Sequence, residues 1–394
     1  MHATESGLTT PPSGDPRAAL VIGGGIAGAA IARALADRGS EVRVLEAGDQ
    51  PARGASGNPR AVVRPVLARS RHDPLATFYS RASEHARRSL VLHPDLDRPN
   101  LCCLAGAHVE TEHAHELDCS AHGVTLLDAA SASARLGLDA RAGFFLHDAL
   151  TLAPAALCAA LLAHPAITLR QNATVAALQR NGSNWAALDT AGQVIGRAPT
   201  AVVATGPALD TLAPTLARAL HRTTGVSIQH APTPSAQRPR ASLLGPMSLS
   251  PTADGIAVYG GHWRNSEPLK TQLAGLPSRF ATLVDGASDH RVVARLHTPD
   301  RLPLVGPLPD MAATASHFAP LRHGKPPAGE PIYQRDAYVL GALGGRGITS
   351  ALWCADLLAS AVYGAERAAL RPLHPLRFLV RSLRRNLPPY ATGR

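Results

Sequence analysis

Three consecutive glycines, Gly23, Gly24 and Gly25, followed by Gly28, stand between an apolar run at Ala18–Ile22 and a stretch of helical apolar spacing over 26–38. Few other arrangements restrict a fold as much. Gly39 stops the helical stretch, and 41–46 alternates as a second strand, so β-turn-α-β closes within about thirty residues, the smallest unit of a parallel nucleotide-binding sheet. Gly23, Gly25 and Gly28 form G-x-G-x-x-G at the strand-to-helix turn. There the missing Cβ atoms let backbone approach a pyrophosphate, and the helix start at Ile26 and Ala27 offers free N–H donors at the positive end of the helix dipole. Glu46, at the end of the second strand, is placed to accept hydrogen bonds from ribose hydroxyls. An acid at that point favours FAD or NAD over NADP.

The rest of the chain reads as α/β, or α+β overall. A helix is expected over 154–163 and short strands over 167–170, 175–179, 185–189 and 201–204. Strand-like pieces between 225 and 293 alternate with Pro and Gly, as in an antiparallel sheet. A strand over 337–340, a glycine loop over 341–347 and a helix over 349–363 then bring nucleotide-fold elements back. The expected organisation is a discontinuous Rossmann-like domain over 17–100, 150–215 and 296–370. An antiparallel-sheet substrate domain takes 101–149 and 216–295, between a flexible leader at 1–16 and a basic tail at 371–394.

Composition narrows the class. With 394 residues, 45% apolar and 17% charged, the chain can bury a core without disulfides and is neither disordered nor fibrous. Its five cysteines are odd in number and lack C-x-x-C spacing, which suits a reducing cytoplasm. Cys102, Cys103 and Cys119 lie near His108, His113, His115 and His122, but the spacing matches no zinc pattern and no metal is expected. No membrane span is expected either. The net charge of +10 suits a polyanionic partner, but only Lys270 and Lys325 are lysines, so codon bias toward arginine explains the excess equally well.

Two further segments point to a flavin. Val202 and Val203 lead into Ala204, Thr205 and Gly206, a strand ending in small residues that resembles the segment flavoproteins place beside the nucleotide and is equally a common strand ending. Gly344, Gly345, Arg346, Gly347, Ile348 and Thr349 form a second glycine loop opening a helix, whose N–H groups would stabilise negative charge developing on a flavin ring. With these, Gly54-Ala55-Ser56-Gly57-Asn58, Thr298-Pro299-Asp300-Arg301-Leu302-Pro303-Leu304-Val305-Gly306 and Ala342-Leu343-Gly344-Gly345-Arg346-Gly347 resemble the D-amino-acid oxidase family of flavoproteins, which includes glycine and sarcosine oxidases, from about residue 17 to 364. Pro375-Leu376-Arg377-Phe378 narrows the likeness to the oxidoreductase half of a two-domain enzyme that modifies the wobble uridine of tRNA.

The resemblance implies FAD as cofactor, held by Gly23, Gly25, Ile26, Ala27, Gly28, Glu46, Ala55, Ser56, Val175, Ala204, Thr205, Gly206 and the loop from Gly344 to Thr349. Val292 and Val293 stand where sarcosine oxidases carry a flavin-linked cysteine, so the FAD is expected to be dissociable. The implied reaction oxidises a carbon bearing an amine and a carboxylate. In the tRNA branch, 5-carboxymethylaminomethyluridine becomes the 5-aminomethyl form plus glyoxylate, and a separate methyltransferase would act on that product. A free glycine, sarcosine or D-amino acid is the alternative substrate. The family's carboxylate-binding arginines fall on Arg346 and on Arg295, although either could instead pair with a local acid or carbonyl. One departure stands out: Arg60, Ala61 and Arg64 replace the family's glutamine, glycine and aromatic residue before Pro65. In the tail, 376–387 has a helical apolar stripe, and Arg377, Arg381, Arg384 and Arg385 share another face. That face is expected to meet tRNA phosphates; a solvated basic face or a membrane-surface helix are the other readings.

Overall fold

The computed structural model describes residues 18–70, 72–92, 96, 101, 104–117, 123–232, 238–245, 247–252, 255–260, 289–365 and 368–391. The leader expected at 1–16, together with Cys102, Cys103, Cys119 and His122, lies outside them.

A six-stranded sheet runs in the order Leu304–Pro309, Tyr333–Gly341, Thr200–Val203, Ala18–Ile22, Glu41–Leu45, Ile167–Arg170. All neighbours are parallel except the first pair, which is antiparallel. Ala19 and Val21 face the helices Ile26–Ala36, Pro74–Leu92, Pro154–Leu162 and Gly347–Val362. Leu20 and Ile22 face the other way, toward Ala187 and Ala198 of a three-stranded antiparallel sheet. Side chains alternate along a strand, so burial on both faces requires the unbroken apolar runs visible in the sequence. The helix Ile26–Ala36 is rich in alanine, which favours helix and permits close approach to the sheet, while Ile31 and Leu35 fill the core at zero exposure. Truncating either to alanine would cost about 2–5 kcal/mol.

A larger sheet runs in the order Asp289–His297, His221–Pro232, Gly255–Gly260, Met247–Pro251, Ser242–Leu244, Leu104–Glu110, Gly143–Leu152, Ala61–Val63, with Val124–Leu127 also pairing to Gly143–Leu152. Its pairs are antiparallel except Ser242–Leu244 with Leu104–Glu110. The sheet thus enters the chain at Ala61 rather than at 101, because three residues are too few to show alternation.

Small boundary differences have local causes. The strand expected over 175–179 forms at Ala177–Asn181, leaving Val175 buried between the two sheets. The tail helix ends at Arg384 rather than 387. Asn386 there adopts φ 55° and Leu387 N–H donates to Ser382 O at 2.9 Å, turning the chain back so that Tyr390 is buried.

Candidate active site

The first glycine loop is shaped for close approach. Gly23 has φ 106°, and a Cβ there would stand 2.6 Å from Ala204 O; one on Gly28 would stand 1.7 Å from Gly23 O. Gly25 differs, since a Cβ on it would meet only Ser56 Oγ, at 3.3 Å. That open space at a helix N-terminus is where a pyrophosphate fits. Ile26 N–H donates to Ser56 Oγ at 2.9 Å, so the loop containing Ala55 and Ser56 already places an oxygen where an anion's oxygen would sit. Both Glu46 oxygens accept backbone N–H groups, from Gly24 at 2.6 Å and Gly48 at 2.9 Å, which aims the carboxylate along the loop with lone pairs to spare for ribose hydroxyls. Among the described residues no group hydrogen-bonds Thr205 Oγ1, buried beside the Gly23 turn, and Gly206 turns away at φ 54°. A dinucleotide with a pyrophosphate and hydroxyls matches these groups. Beneath them Cys158 is fully buried, its thiol pushed up to about 12 by desolvation, which disfavours the thiolate.

The second glycine loop closes against the first. A Cβ on Gly347 would stand 3.5 Å from Ile26 Cγ2, so two helix N-termini about 320 residues apart in the chain meet, as crossover connections of a parallel sheet allow. Gly344 has φ 59°, and Gly344 to Arg346 form one 3₁₀ turn before the helix Gly347–Val362. Thr349 Oγ1 bridges to Val62 O and Arg64 N–H, both at 3.4 Å. This brings the departing segment of Arg60 to Arg64 to the second loop. The first-turn N–H groups of that helix have no intrahelical acceptor and can serve an anion.

Arg346 is half-buried, and its guanidinium lies over the Tyr79 ring, 5.3 Å from its centre. Among the described residues no carboxylate or carbonyl accepts a hydrogen bond from it. Burial holds its pKa below the usual arginine range, yet a guanidinium remains cationic at any physiological pH. An unpaired cation in such a place fits an anionic ligand group.

One face of the strand Asp289–His297 runs from the loop at residues 53–57 to the second glycine loop, since alternate residues share a face. Arg291 donates to Gly57 O at 2.5 Å, to Gly54 O at 3.4 Å and to Arg53 O. Arg295 Nη1 would stand 3.6 Å from a Cβ on Gly345, and His297 Cβ 3.4 Å from one on Gly344. Arg295 and Arg346 therefore converge on one loop. Arg291 was not anticipated; its place two and three alternations from Arg295 and His297 was the available signal. Tyr79 was also missed, because no helix was expected over Pro74–Leu92.

Arg377 does not lie on the expected phosphate-facing surface. Its Nε donates to Asp300 Oδ2 at 2.9 Å and its Nη2 to Asp300 Oδ1 at 3.1 Å, while Leu373, His374, Leu302 and Pro303 carbonyls take the remaining donors. Helical spacing put Arg377 with the other arginines, but the acid in the Thr298 to Gly306 motif draws it inward. Arg381, Arg384 and Arg385 are exposed, and Arg322 joins them through a 3.2 Å bond to Asn386 Oδ1. Within the described residues no helix is long and apolar enough to cross a membrane.

A family model described as FAD dependent oxidoreductase (DAO) matches residues 18–361. The tRNA 5-methylaminomethyl-2-thiouridine biosynthesis bifunctional protein MnmC of Paraburkholderia phytofirmans is 32% identical over 95% of this chain and 61% of its own length. The protein of the same name from Pseudomonas aeruginosa is 32% identical over 94% and 61%. The chain thus spans about three-fifths of the curated relatives it matches. Among solved structures, glycine oxidase from Geobacillus kaustophilus superposes with a TM-score of 0.68 at 19% identity, covering 91% of this chain and 98% of that one. Amadoriase I from Aspergillus fumigatus gives 0.72 at 16% identity, covering 93% and 91%. Both share the fold.

Proposed function

The chain belongs to the DAO family of FAD-dependent oxidoreductases, and from that premise we propose that it oxidises the carboxymethylaminomethyl group on a tRNA wobble uridine. The observation that carries this reading is Arg346, a half-buried cation at the mouth of the second glycine loop with no resident anion among the described residues. A guanidinium grips a carboxylate through two parallel hydrogen bonds and so fixes which C–H of the adjacent carbon is presented. Arg295, beside Gly345, supplies a second cation on the same side. Bound FAD would supply the two-electron acceptor for the hydride leaving that C–H. The secondary amine loses a proton, and a C=N bond forms between nitrogen and the carboxylate-bearing carbon. Water adds to that bond and breaks it, giving glyoxylate and the 5-aminomethyl group. First-turn N–H groups from Gly347 to Thr349 would stabilise negative charge accumulating on the reduced cofactor, a service that needs no titratable side chain.

Support for tRNA as the carrier comes from the named relatives and from the exposed arginines Arg381, Arg384 and Arg385 with neighbouring Arg322. A free glycine, sarcosine or D-amino acid offers Arg346 the same carboxylate and amine, and is the second reading. Incubating FAD-loaded protein with tRNA bearing 5-carboxymethylaminomethyluridine should release glyoxylate and convert the nucleoside to its 5-aminomethyl form. Flavin reduction by glycine or sarcosine, with the tRNA nucleoside untouched, would instead select the second reading.

A further inference from the structure

The geometry points to Tyr79 as the positioning residue for the Arg346 guanidinium, an aromatic face supporting the cation where an acid would otherwise stand. The inference rests on the reading of Arg346 as the carboxylate-binding residue and deepens it. Arg346 Cζ lies 5.3 Å from the centre of the Tyr79 ring, which is itself only 2% exposed.

The ring is fixed from several sides. Tyr79 Oη donates to Arg301 O at 3.0 Å. Phe78 meets it edge-on, with centroids 5.0 Å apart at 86°, and Phe78 in turn packs on Trp353 of the helix that Arg346 caps, also at 5.0 Å. The accepting carbonyl belongs to a residue at φ 62°, in a turn tied by Thr298 Oγ1 donating to Leu302 O at 2.6 Å and by the paired oxygens of Asp300 on Arg377. The chain of contacts therefore runs from the tail helix through Asp300, Arg301 and Tyr79 to Arg346. Burial raises the Tyr79 pKa far above the usual phenol range, so its hydroxyl stays a donor and the residue carries no charge.

Chemistry explains why an aromatic ring suits this place. A carboxylate beneath Arg346 would neutralise it and occupy its N–H donors, competing with the substrate. A saturated side chain would leave the buried cation without electrostatic support. A ring face attracts the cation through its quadrupole and leaves the N–H donors free for an incoming anion.

The test uses FAD-loaded protein titrated with acetate, a carboxylate without an amine, and read by perturbation of the flavin absorption spectrum, with methylamine as control. Tyr79→Leu should raise the acetate Kd by about tenfold, and Tyr79→Phe, which keeps the face, by less than about threefold. In an Arg346→Leu background, Tyr79→Leu should add nothing further, because the two residues act as one unit. The FAD dissociation constant should stay unchanged in the Tyr79 variants, which general unfolding would not allow. Tyr79→Met carries the same expectation if the leucine variant does not fold. Acetate binding within about twofold of wild type in Tyr79→Leu, or equal losses in Phe and Leu, would overturn the role of the ring. Wild-type acetate affinity in Arg346→Leu alone would overturn the carboxylate reading, and the role of Tyr79 with it.

Discussion

Arg346 and Arg377 are both substantially buried arginines, each beginning or lying in a helix that follows a glycine- or proline-rich turn, yet their surroundings differ completely. Arg377 has every donor engaged, two on Asp300 and the rest on carbonyls. Arg346 has an aromatic face and no resident acceptor among the described residues. A saturated guanidinium ties structure together, whereas an unsaturated one keeps its N–H donors available. The difference lies in the neighbours, not in the residue type.

Breaking the saturated pair should have the largest effect. Asp300→Ala strands the Arg377 cation among carbonyls at 15% side-chain exposure and should cost about 3–5 kcal/mol in urea unfolding. A loss below 1 kcal/mol would erase the contrast between the two arginines. Arg346→Leu should instead leave urea stability and FAD content near wild type. It should slow anaerobic flavin reduction by substrate by an amount equivalent to about 2–5 kcal/mol. Near-normal reduction would transfer the carboxylate to Arg295.

Stability around the saturated arginine should also respond to pH. His374, next to Arg377, is buried, and desolvation lowers its pKa from 6.5 to about 3. Its Nδ1 accepts the Leu376 N–H at 3.1 Å, a bond that protonation would remove. The unfolded chain therefore binds a proton that the folded one refuses between these two values. This contribution to stability is whole above pH 6.5 and falls as pH drops toward 3, by up to about 1.4 kcal/mol per pH unit. His108, whose pKa is also lowered mainly by burial, adds in the same direction. Thermal unfolding of His374→Gln should show a shallower decline from pH 6.5 to 4.5, and an unchanged slope would mean the imidazole is reached by solvent.

The smallest effect is expected at the exposed arginines, which belong to neither class. If Arg381, Arg384 and Arg385 touch tRNA phosphates, each replacement by glutamine should reduce the log–log salt slope of tRNA binding by about 0.7–0.9. An unchanged slope in the triple variant would assign the tail to packing alone.

The nucleotide fold was legible because its signals are local. A strand buried on both faces must be apolar throughout, a helix entering over a phosphate must begin on glycines, and Glu46 must end the second strand, so Ala18–Ile22 falls where the pattern puts it. Ile167–Arg170, at the sheet edge, instead alternates half-buried with exposed residues. The second loop, Gly344 to Thr349, was legible for the same reason. Three residues of Ala61–Val63 were not, since so short a strand is chosen by its partner Gly143–Leu152 rather than by its own alternation.

By itself, then, the sequence determined the nucleotide-fold scaffold: where its long strands run, which of its turns need glycine, and which arginines are available to it. Tertiary structure alone decided what each arginine does. Arg377 and Asp300 lie 77 residues apart, Tyr79 and Arg301 222 apart, and Arg291 reaches the loop at Gly57 across 234. Local periodicity extends over a few turns and carries no information on such pairings. Which guanidinium meets an acid, and which meets a ring, is fixed only when the sheets and helices pack.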